Sequence, residues 1–352
     1  MTIETEPLNI SSVNGNLIWV VYDTDYTNLN YKYVADVYVN AVFVFRSLSF
    51  PNPTNNRGIF DLSDVIRQYT NSAFNDEQGE GKFKTSIEVK FGEQFGGVIY
   101  TNQISSTRTF VNNYLKRGEA NNIMVSFNDL PATDRPKELS IVEGTATYYV
   151  PYYFVTGATF NTTINGVTTT VTPAVAQTMQ RINIADPAAT ADYDAVINGV
   201  TYRVKVVCAG FYKNYTLHFL NKWGGWESML FNKVSRKTIS SEKKNYQQLP
   251  YRVDGAGAVT YKVGNIMNEQ GTTFGVIYEE KLKISTDLLT DAEYQWLYQL
   301  VLSPFIYLED AGTFYPVIID TTNYEFKEHV VDMLTNLKID ISFGVKQQTQ
   351  FR

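Results

Sequence analysis

The sequence predicts a mainly β protein. An N-terminal Ig-like β-sandwich is expected over residues 1–112 and a second β-rich domain over 113–352, with one short helix in its C-terminal half and a hairpin insertion at 156–210. Three observations carry this. Apolar and polar residues alternate with a period of two in one stretch after another, the pattern of half-buried strands. Aromatic residues make up 14% of the chain and include 25 tyrosines, a side chain that suits pleated surfaces and interfaces dry on one side and wet on the other. Asn-Gly twice separates strand-forming runs, and both turn residues there accept positive φ.

In chain order, Asn14-Gly15 signals a turn before the strand Leu17–Tyr22. Tyr31–Phe50 is β-branched and aromatic and long enough for two strands, and PNPTNNRG at Pro51–Gly58 is loop chemistry. Leu62, Val65, Ile66 and Tyr69 fall at helical spacing, with Asp61 or Ser63 able to cap, so one short helix is expected. Lys82–Lys90 alternates with Phe83, Thr85, Ile87 and Val89 on one side; Gly92–Gly97 turns, and Val98-Ile99-Tyr100 returns.

Asn112–Arg135 is rich in asparagine and charge and reads as the domain boundary, with a short strand at Ile123–Phe127. Leu139–Val155 is a longer strand region. Thr156–Gly210 reads as an insertion that projects as hairpins and contacts another protein or another copy. It contains Ile164-Asn165-Gly166-Val167-Thr168 and again Ile197-Asn198-Gly199-Val200-Thr201, a duplicated hairpin or a coincidence. Pro173–Asp192 between them is Ala/Pro/Thr-rich and is expected to be a loop with a short helix. Val206-Val207-Cys208 suggests that the one cysteine is a buried small hydrophobe, and a single cysteine excludes an intrachain disulfide framework.

Tyr215–Phe231, YTLHFLNKWGGWESMLF, is the clearest single element. Tyr215, Leu217 and Phe219 alternate with Thr216, His218 and Leu220. Trp223-Gly224-Gly225-Trp226 then reverses the chain, because glycine tolerates positive φ. Trp223 and Trp226 admit two readings: half-buried hairpin ends, or an exposed platform for a partner or a sugar. Strands are expected next at Val259–Val263 and Thr273–Ile284. Thr290-Asp291-Ala292-Glu293 is a capping box for the best helix of the chain, with Trp296, Leu297, Leu300 and Val301 on its apolar face and Ser303-Pro304 as its stop. Phe305–Leu308 and Tyr315–Ile319 pair around Asp310-Ala311-Gly312. Leu337, Ile339, Ile341 and Phe343 alternate in the last strand, and Gln347–Arg352 is a polar tail.

Composition narrows the function classes. Hydrophobic residues at 44% and charged residues at 19% describe a globular chain. The net charge of −6 opposes whole-chain attraction to nucleic acid or anionic lipid. The charge is segregated, however: Phe211–Arg252 carries a net +6 and the remainder −12. Lys233, Arg236, Lys237, Lys243 and Lys244 form the centre of that stretch. It reads as a solvated face, a surface docking on an acidic patch of a neighbouring copy, or, less expected, a nucleic-acid contact. No run approaches the ~20 apolar residues that span a membrane. The start MTIETEPLNI lacks the basic n-region and apolar core of a signal peptide, so the protein is expected to stay where it is made or to enter an assembly there.

No motif points to catalysis. His218 sits mid-strand and reads as a hydrogen-bonded structural histidine, and His329 as an exposed one; neither has a second ligand at zinc spacing. No nucleophile elbow, dinucleotide fingerprint or phosphate loop is present. Asp254-Gly255-Ala256-Gly257 and Glu309-Asp310 read as turns with too few oxygen ligands for calcium. The expectation is a non-enzymatic protein without cofactor or metal.

Three stretches together resemble virion structural proteins of tailed phages that infect Bacteroidetes, including the crAss-like group. They are RGIFDLSDVIRQYT at Arg57–Thr70, HFLNKWGGWESMLF with the basic strand after it, and the C-terminal stretch from YQWLYQLVLSPFIYLEDAGTFYPVIIDTTNYEF to the Gln-rich tail. They cover about a third of the chain, and the 156–210 insertion lies outside the resemblance. The resemblance implies a ring-forming neck, tail, tail-hub or baseplate component, of sixfold or twelvefold symmetry. It would contact other tail or neck proteins in a virion assembled in the bacterial cytoplasm. Trp223, Trp226, Lys233, Arg236, Lys237, Lys243 and Lys244 are then the expected intersubunit contact, with the basic side chains facing acidic groups of a neighbour. A carbohydrate-binding or adhesin module of a tail fibre or cell surface is the rival reading.

Overall fold

The structure is a computed structural model that describes every residue except 14, 16, 71–83, 114–128, 155–157, 173–177, 209–211, 248, 264–265, 268–270, 311, 321–333, 345–346 and 349–352. Strands hold 59% of the chain and helices 8%, so the expected mainly β class and the short C-terminal-half helix are present. The chain divides into two compact units. Unit 1 comprises Met1–Ala209, His218–Met229 and Trp296–Pro304; unit 2 comprises Gly210–Leu217, Leu230–Gln295 and Phe305–Arg352.

The first part of unit 1 carries β1 (Thr2–Thr5), β2 (Ser11–Ser12), β3 (Ile18–Tyr22), β4 (Lys32–Val39), β5 (Val42–Ser49), β6 (Gly58–Asp61), helix α1 (Ser63–Tyr69), β7 (Lys84–Phe95) and β8 (Val98–Val111). One sheet runs β1-β3-β6 and a second runs β2-β8-β7-β4-β5. They share one core, in which Leu17, Trp19 and Val21 meet Tyr33, Val37, Ile87, Val89, Phe91 and Phe110. Two sheets over one core are compatible with the Ig-like expectation. Asn40 and Ala41, both at positive φ, reverse the chain between β4 and β5. The Asp61 carboxylate accepts from the Ser63 N–H at the start of α1 (3.0 Å), and α1 buries Ile66.

The rest of unit 1 contains β9 (Leu130–Pro131), β10 (Glu138–Val142), β11 (Tyr149–Phe154), β12 (Phe160–Ile164), β13 (Val167–Val171), β14 (Thr178–Asn183), β15 (Tyr193–Ile197) and β16 (Val200–Val207). The sheets run β10-β16-β15-β12-β13 and β14-β11-β9. Their core joins Leu139, Ile141, Val150, Tyr152 and Phe154 to Ile182, Ile184, Tyr193, Ala195, Ile197, Tyr202 and Val204. The expected break at residue 112 therefore separates two hydrophobic cores, while both lie within one compact unit.

The reading of 156–210 as a projecting insertion is corrected here. Both Asn-Gly hairpins form, with Asn165, Gly166, Asn198 and Gly199 all at positive φ. But β15 pairs with β12, β16 pairs in parallel with β10, and β14 pairs along β11. The segment is most of this core, because a strand that buries one face needs a partner sheet over it. The helix expected within Pro173–Asp192 is also replaced in part: β14 extends because Tyr149–Phe154 offers it a ladder from Asn183 to Thr178. Cys208 is exposed, not buried, since it lies one residue past the end of β16, where β10 has also run out at Val142. The strand expected at Ile123–Phe127 and the exposed His329 lie outside the described residues.

Strands β17 (Tyr215–Leu220) and β18 (Trp226–Phe231) form the expected hairpin. The chain continues with β19 (Arg236–Gln247), β20 (Arg252–Val253), β21 (Val259–Thr260), β22 (Lys262–Val263), β23 (Ile266–Met267) and β24 (Gly271–Thr290). Helices α2 (Asp291–Trp296) and α3 (Tyr298–Leu302) follow. The chain ends with β25 (Ile306–Asp310), β26 (Thr313–Pro316), β27 (Ile318–Ile319), β28 (Leu334–Ser342) and β29 (Gln347–Gln348). Sheet orders are β18-β17-β25-β26 and β19-β24-β28-β27, with β29 on β24. The capping box closes as expected: the Thr290 N–H donates to Glu293 Oε2 (2.9 Å) and the Glu293 N–H to Thr290 Oγ1 (3.3 Å). Ile339 and Ile341 are buried and Lys338 exposed, as the alternation requires.

Deleting 156–210 is expected to abolish the cooperative unfolding transition of unit 1, read by circular dichroism; a deletion variant with a native melt would overturn this assignment. Ile197→Ala, at a fully buried position, is expected to cost about 3 kcal/mol in a urea melt.

Candidate functional site

The Trp223–Trp226 turn is organised by one side chain. Asn221 Oδ1 accepts from the N–H groups of Trp223 (3.0 Å) and Gly225 (2.9 Å). Its Nδ2 donates to the Ala132 carbonyl (2.8 Å) and to Glu227 Oε1 (2.5 Å). An asparagine just before a tight turn can bond the backbone ahead of it, and the sequence shows the residue type but not its partners. The two glycines have different reasons. Gly224 takes φ +85°, as expected. Gly225 does not; a Cβ there would lie 2.4 Å from Pro151 Cβ, so it is required for close approach of β11.

Both tryptophans are buried, Trp223 at 8% and Trp226 at 9% exposure. Trp223 packs with Ile10, Val111, Ala132, Tyr153 and Met179, and its Nε1 donates to Asp134 Oδ1 (3.3 Å). Lys222 completes the corner, with Nζ 2.6 Å from Asp134 and 4.8 Å from the Trp223 ring centroid. Of the two readings of this pair, the exposed platform is therefore absent from the folded chain. All six residues of β18 are buried, so both faces of the hairpin arm are covered and its alternation does not mark a wet side.

Beside the turn, Ser228 Oγ lies 2.9 Å from His218 Nδ1, which is the structural hydrogen bond expected of that histidine. The pair is sealed, at 0% and 1% exposure, so this hydroxyl meets no substrate. Arg135 is held between the rings of Tyr148 (4.9 Å) and Trp296 (4.5 Å) and donates to the Ser228 carbonyl (2.7 Å). Burial pushes the Glu227 carboxyl up to about 7, against the pull of the Arg135 charge and of the Asn221 and Thr133 hydrogen bonds.

A cleft of about 270 Å³ lies next to the turn, lined by Leu220, Asn221, Gln299, Leu302 and Pro304 among others. Gln299 Oε1 accepts from the Lys222 N–H (2.9 Å), while its Nε2 has no partner among the described residues. No sequence signal pointed to this cleft. Asp23, Asp25 and Glu93 bring carboxylates within 4.8 Å of one another, but Asp23 is paired with the Met1 amine (2.5 Å) and Glu93 accepts from Tyr31 (3.0 Å).

The five basic residues fall on unit 2. All twelve residues of β19 are exposed. Two of the five cations find their acids within the chain: Lys233 lies 2.9 Å from Asp287 and Lys237 2.7 Å from Glu280. The expectation that all five face a neighbour's carboxylates is corrected to that extent. The cause is the antiparallel register, which sets Ile239 across from Glu280 and Ser240 across from Glu279. Arg236, Lys243 and Lys244 have no carboxylate partner among the described residues; Lys243 and Lys244 face Val276 and Gly275.

Among the described residues no helix is long and apolar enough to cross a membrane. No family model, no curated protein and no solved structure matches the chain.

The raised Glu227 value sets a pH dependence. A carboxyl ordinarily near 4.5 that stays protonated to about 7 in the fold binds more protons folded than unfolded between those values. Stability from this group therefore falls as pH rises from about 4.5 to about 7 and is level outside that window. Glu227→Gln is expected to remove that slope from the difference between its melt and the wild-type melt; an unchanged slope would refute the assignment. Asn221→Ala, which strands several buried donors and acceptors, is expected to cost about 3 kcal/mol.

Proposed function

We propose that this chain is a virion structural protein of a tailed bacteriophage: a ring-forming neck, tail, tail-hub or baseplate component that joins neighbouring rings. The observation that carries the reading is β19. It is a twelve-residue edge strand exposed along its whole length, and its Arg236, Lys243 and Lys244 have no carboxylate partner among the described residues. An open edge of this length is a template for another strand. In a ring such a contact repeats at every copy, so a modest gain per contact becomes large for the assembly. The resemblance of Arg57–Thr70, His218–Phe231 and the C-terminal stretch to virion proteins supports the same reading.

In this reading the partners are further copies in a sixfold or twelvefold ring and adjoining tail or neck proteins. Assembly takes place in the host bacterial cytoplasm, and no enzymatic step, cofactor or metal is invoked. Nucleic acid is met only incidentally, in a tail channel. The rival, a carbohydrate-binding or adhesin module, needs an exposed aromatic platform. Trp223 and Trp226 are in the core and do not supply one.

The test is a charge-reversed variant, Arg236→Glu with Lys243→Glu and Lys244→Glu. Exposed charges rarely decide folding, so its melt is expected to match the wild type while ring assembly in particles is lost. Normal assembly with loss of salt-sensitive DNA binding would favour a nucleic-acid role. A native complex with one copy, or a trimeric spike, would sink the ring.

A further inference from the structure

The cleft beside the Trp223–Trp226 turn lies wholly within unit 1, between α3, the end of β17 and the residues just past β8. Two hydrogen bonds tie α3 and the residue after it to the hairpin. Ser303 Oγ accepts from the Leu220 N–H (3.0 Å), and Gln299 Oε1 accepts from the Lys222 N–H (2.9 Å). The second bond fixes the orientation of the Gln299 amide. A backbone nitrogen can only donate, so the atom that meets it is the oxygen and the other is the NH2 group. Gln299 is 4% exposed, and its Nε2 has no partner among the described residues. A buried donor left without an acceptor costs about 1–3 kcal/mol, and folded proteins keep few of them.

The groups around that donor select the ligand. Among the described residues, Lys222 is the one charged side chain on the lining, and its ammonium is already committed. Nζ lies 2.6 Å from Asp134 and 4.8 Å from the Trp223 ring centroid. An anion would have to compete with Asp134, and a cation finds no carboxylate on the described lining. The lining therefore suits an uncharged ligand. It also suits an acceptor better than a polyol. The side-chain oxygens of Asn221, Gln299 and Ser303 all accept from backbone N–H groups. Hydroxyl groups, which must donate as well as accept, are poorly served there, whereas a carbonyl only accepts and is served by Nε2. Leu220, Leu302 and Pro304 supply the apolar surface.

We propose that the cleft binds a short apolar peptide segment. One backbone carbonyl of the segment accepts from Gln299 Nε2, and the adjoining aliphatic side chain lies on Leu220, Leu302 and Pro304. A peptide unit joins a neutral carbonyl to an apolar side chain, the two features this lining accommodates. The volume of about 270 Å³ lies just under the ~300–1,000 Å³ usual for ligand sites, so a residue or two of the segment enters. The site uses residues of unit 1 alone and does not depend on the ring reading.

The test uses the full chain and N-acetyl-leucine methylamide, an uncharged peptide unit, followed by saturation-transfer NMR. Transfer to the leucine methyl and acetyl protons is expected. Leu302 is 59% exposed, so Leu302→Trp can obstruct the cleft from its rim with the fold kept, and is expected to weaken binding about tenfold or more. Gln299→Glu keeps an oxygen for the Lys222 N–H and sets a second oxygen where the donor was; a similar loss is expected. N-acetyl-leucine, which carries a carboxylate in place of the methylamide, is expected to bind about tenfold more weakly. Circular dichroism melts check each variant, and Leu302→Trp decides alone if Gln299→Glu does not fold. No transfer to the methylamide, or equal binding by wild type and Leu302→Trp, would overturn the site. Tighter binding of N-acetyl-leucine would overturn the uncharged ligand. Binding of N-acetylglucosamine without binding of the methylamide would replace the peptide with a sugar.

Discussion

The Asn221 side chain is the constraint on which the centre of unit 1 depends. It serves the two N–H groups that the Trp223–Gly225 turn would otherwise bury unpaired, and it reaches the Ala132 carbonyl and the Glu227 carboxylate. A buried polar group without a partner costs about as much as a mutation of ordinary size gains or loses, roughly 1–3 kcal/mol. Satisfying several at one residue therefore lets two tryptophans, a carboxyl and a histidine all lie inside the same unit. Gly225 belongs to the same arrangement, because the turn can press against Pro151 only where a Cβ is missing.

That concentration of burial contrasts with the sheet edges. Strand β18 is covered on every residue, while β19, which begins after a gap of four residues, is exposed on every residue. Composition separates the two in part: β18 carries Trp226, Met229, Leu230 and Phe231, whereas β19 carries Arg236, Lys237, Glu242, Lys243 and Lys244. What also differs is the number of layers that reach them. β18 contributes to a packed core, and β19 has one neighbour in its sheet and neither face covered. The exposed apolar row on β5 belongs to the same class of feature.

The opposite holds for chemistry that depends on accessibility. The Ser228–His218 contact has the distance of an activated pair but lies within the core. The acidic group at Asp23, Asp25 and Glu93 is partly occupied by the Met1 amine and Tyr31. Residue types that suggest reactivity are here used as hydrogen-bonding groups.

By itself the sequence determined the elements whose cause is local. The Asn-Gly hairpins, the capping box at Thr290–Glu293, the alternation of Leu337–Ile341 and the turn at Trp223–Trp226 follow from φ preference, side-chain capping and period, all settled within a few residues. Tertiary structure alone decided which faces became dry. It placed both tryptophans in the core, made 156–210 the body of a sheet and put Cys208 at a strand end. It also gave Lys233 and Lys237 carboxylate partners on β24. Each of these depends on a partner tens of residues away, and strand pairing at that range leaves no mark in the residues nearby.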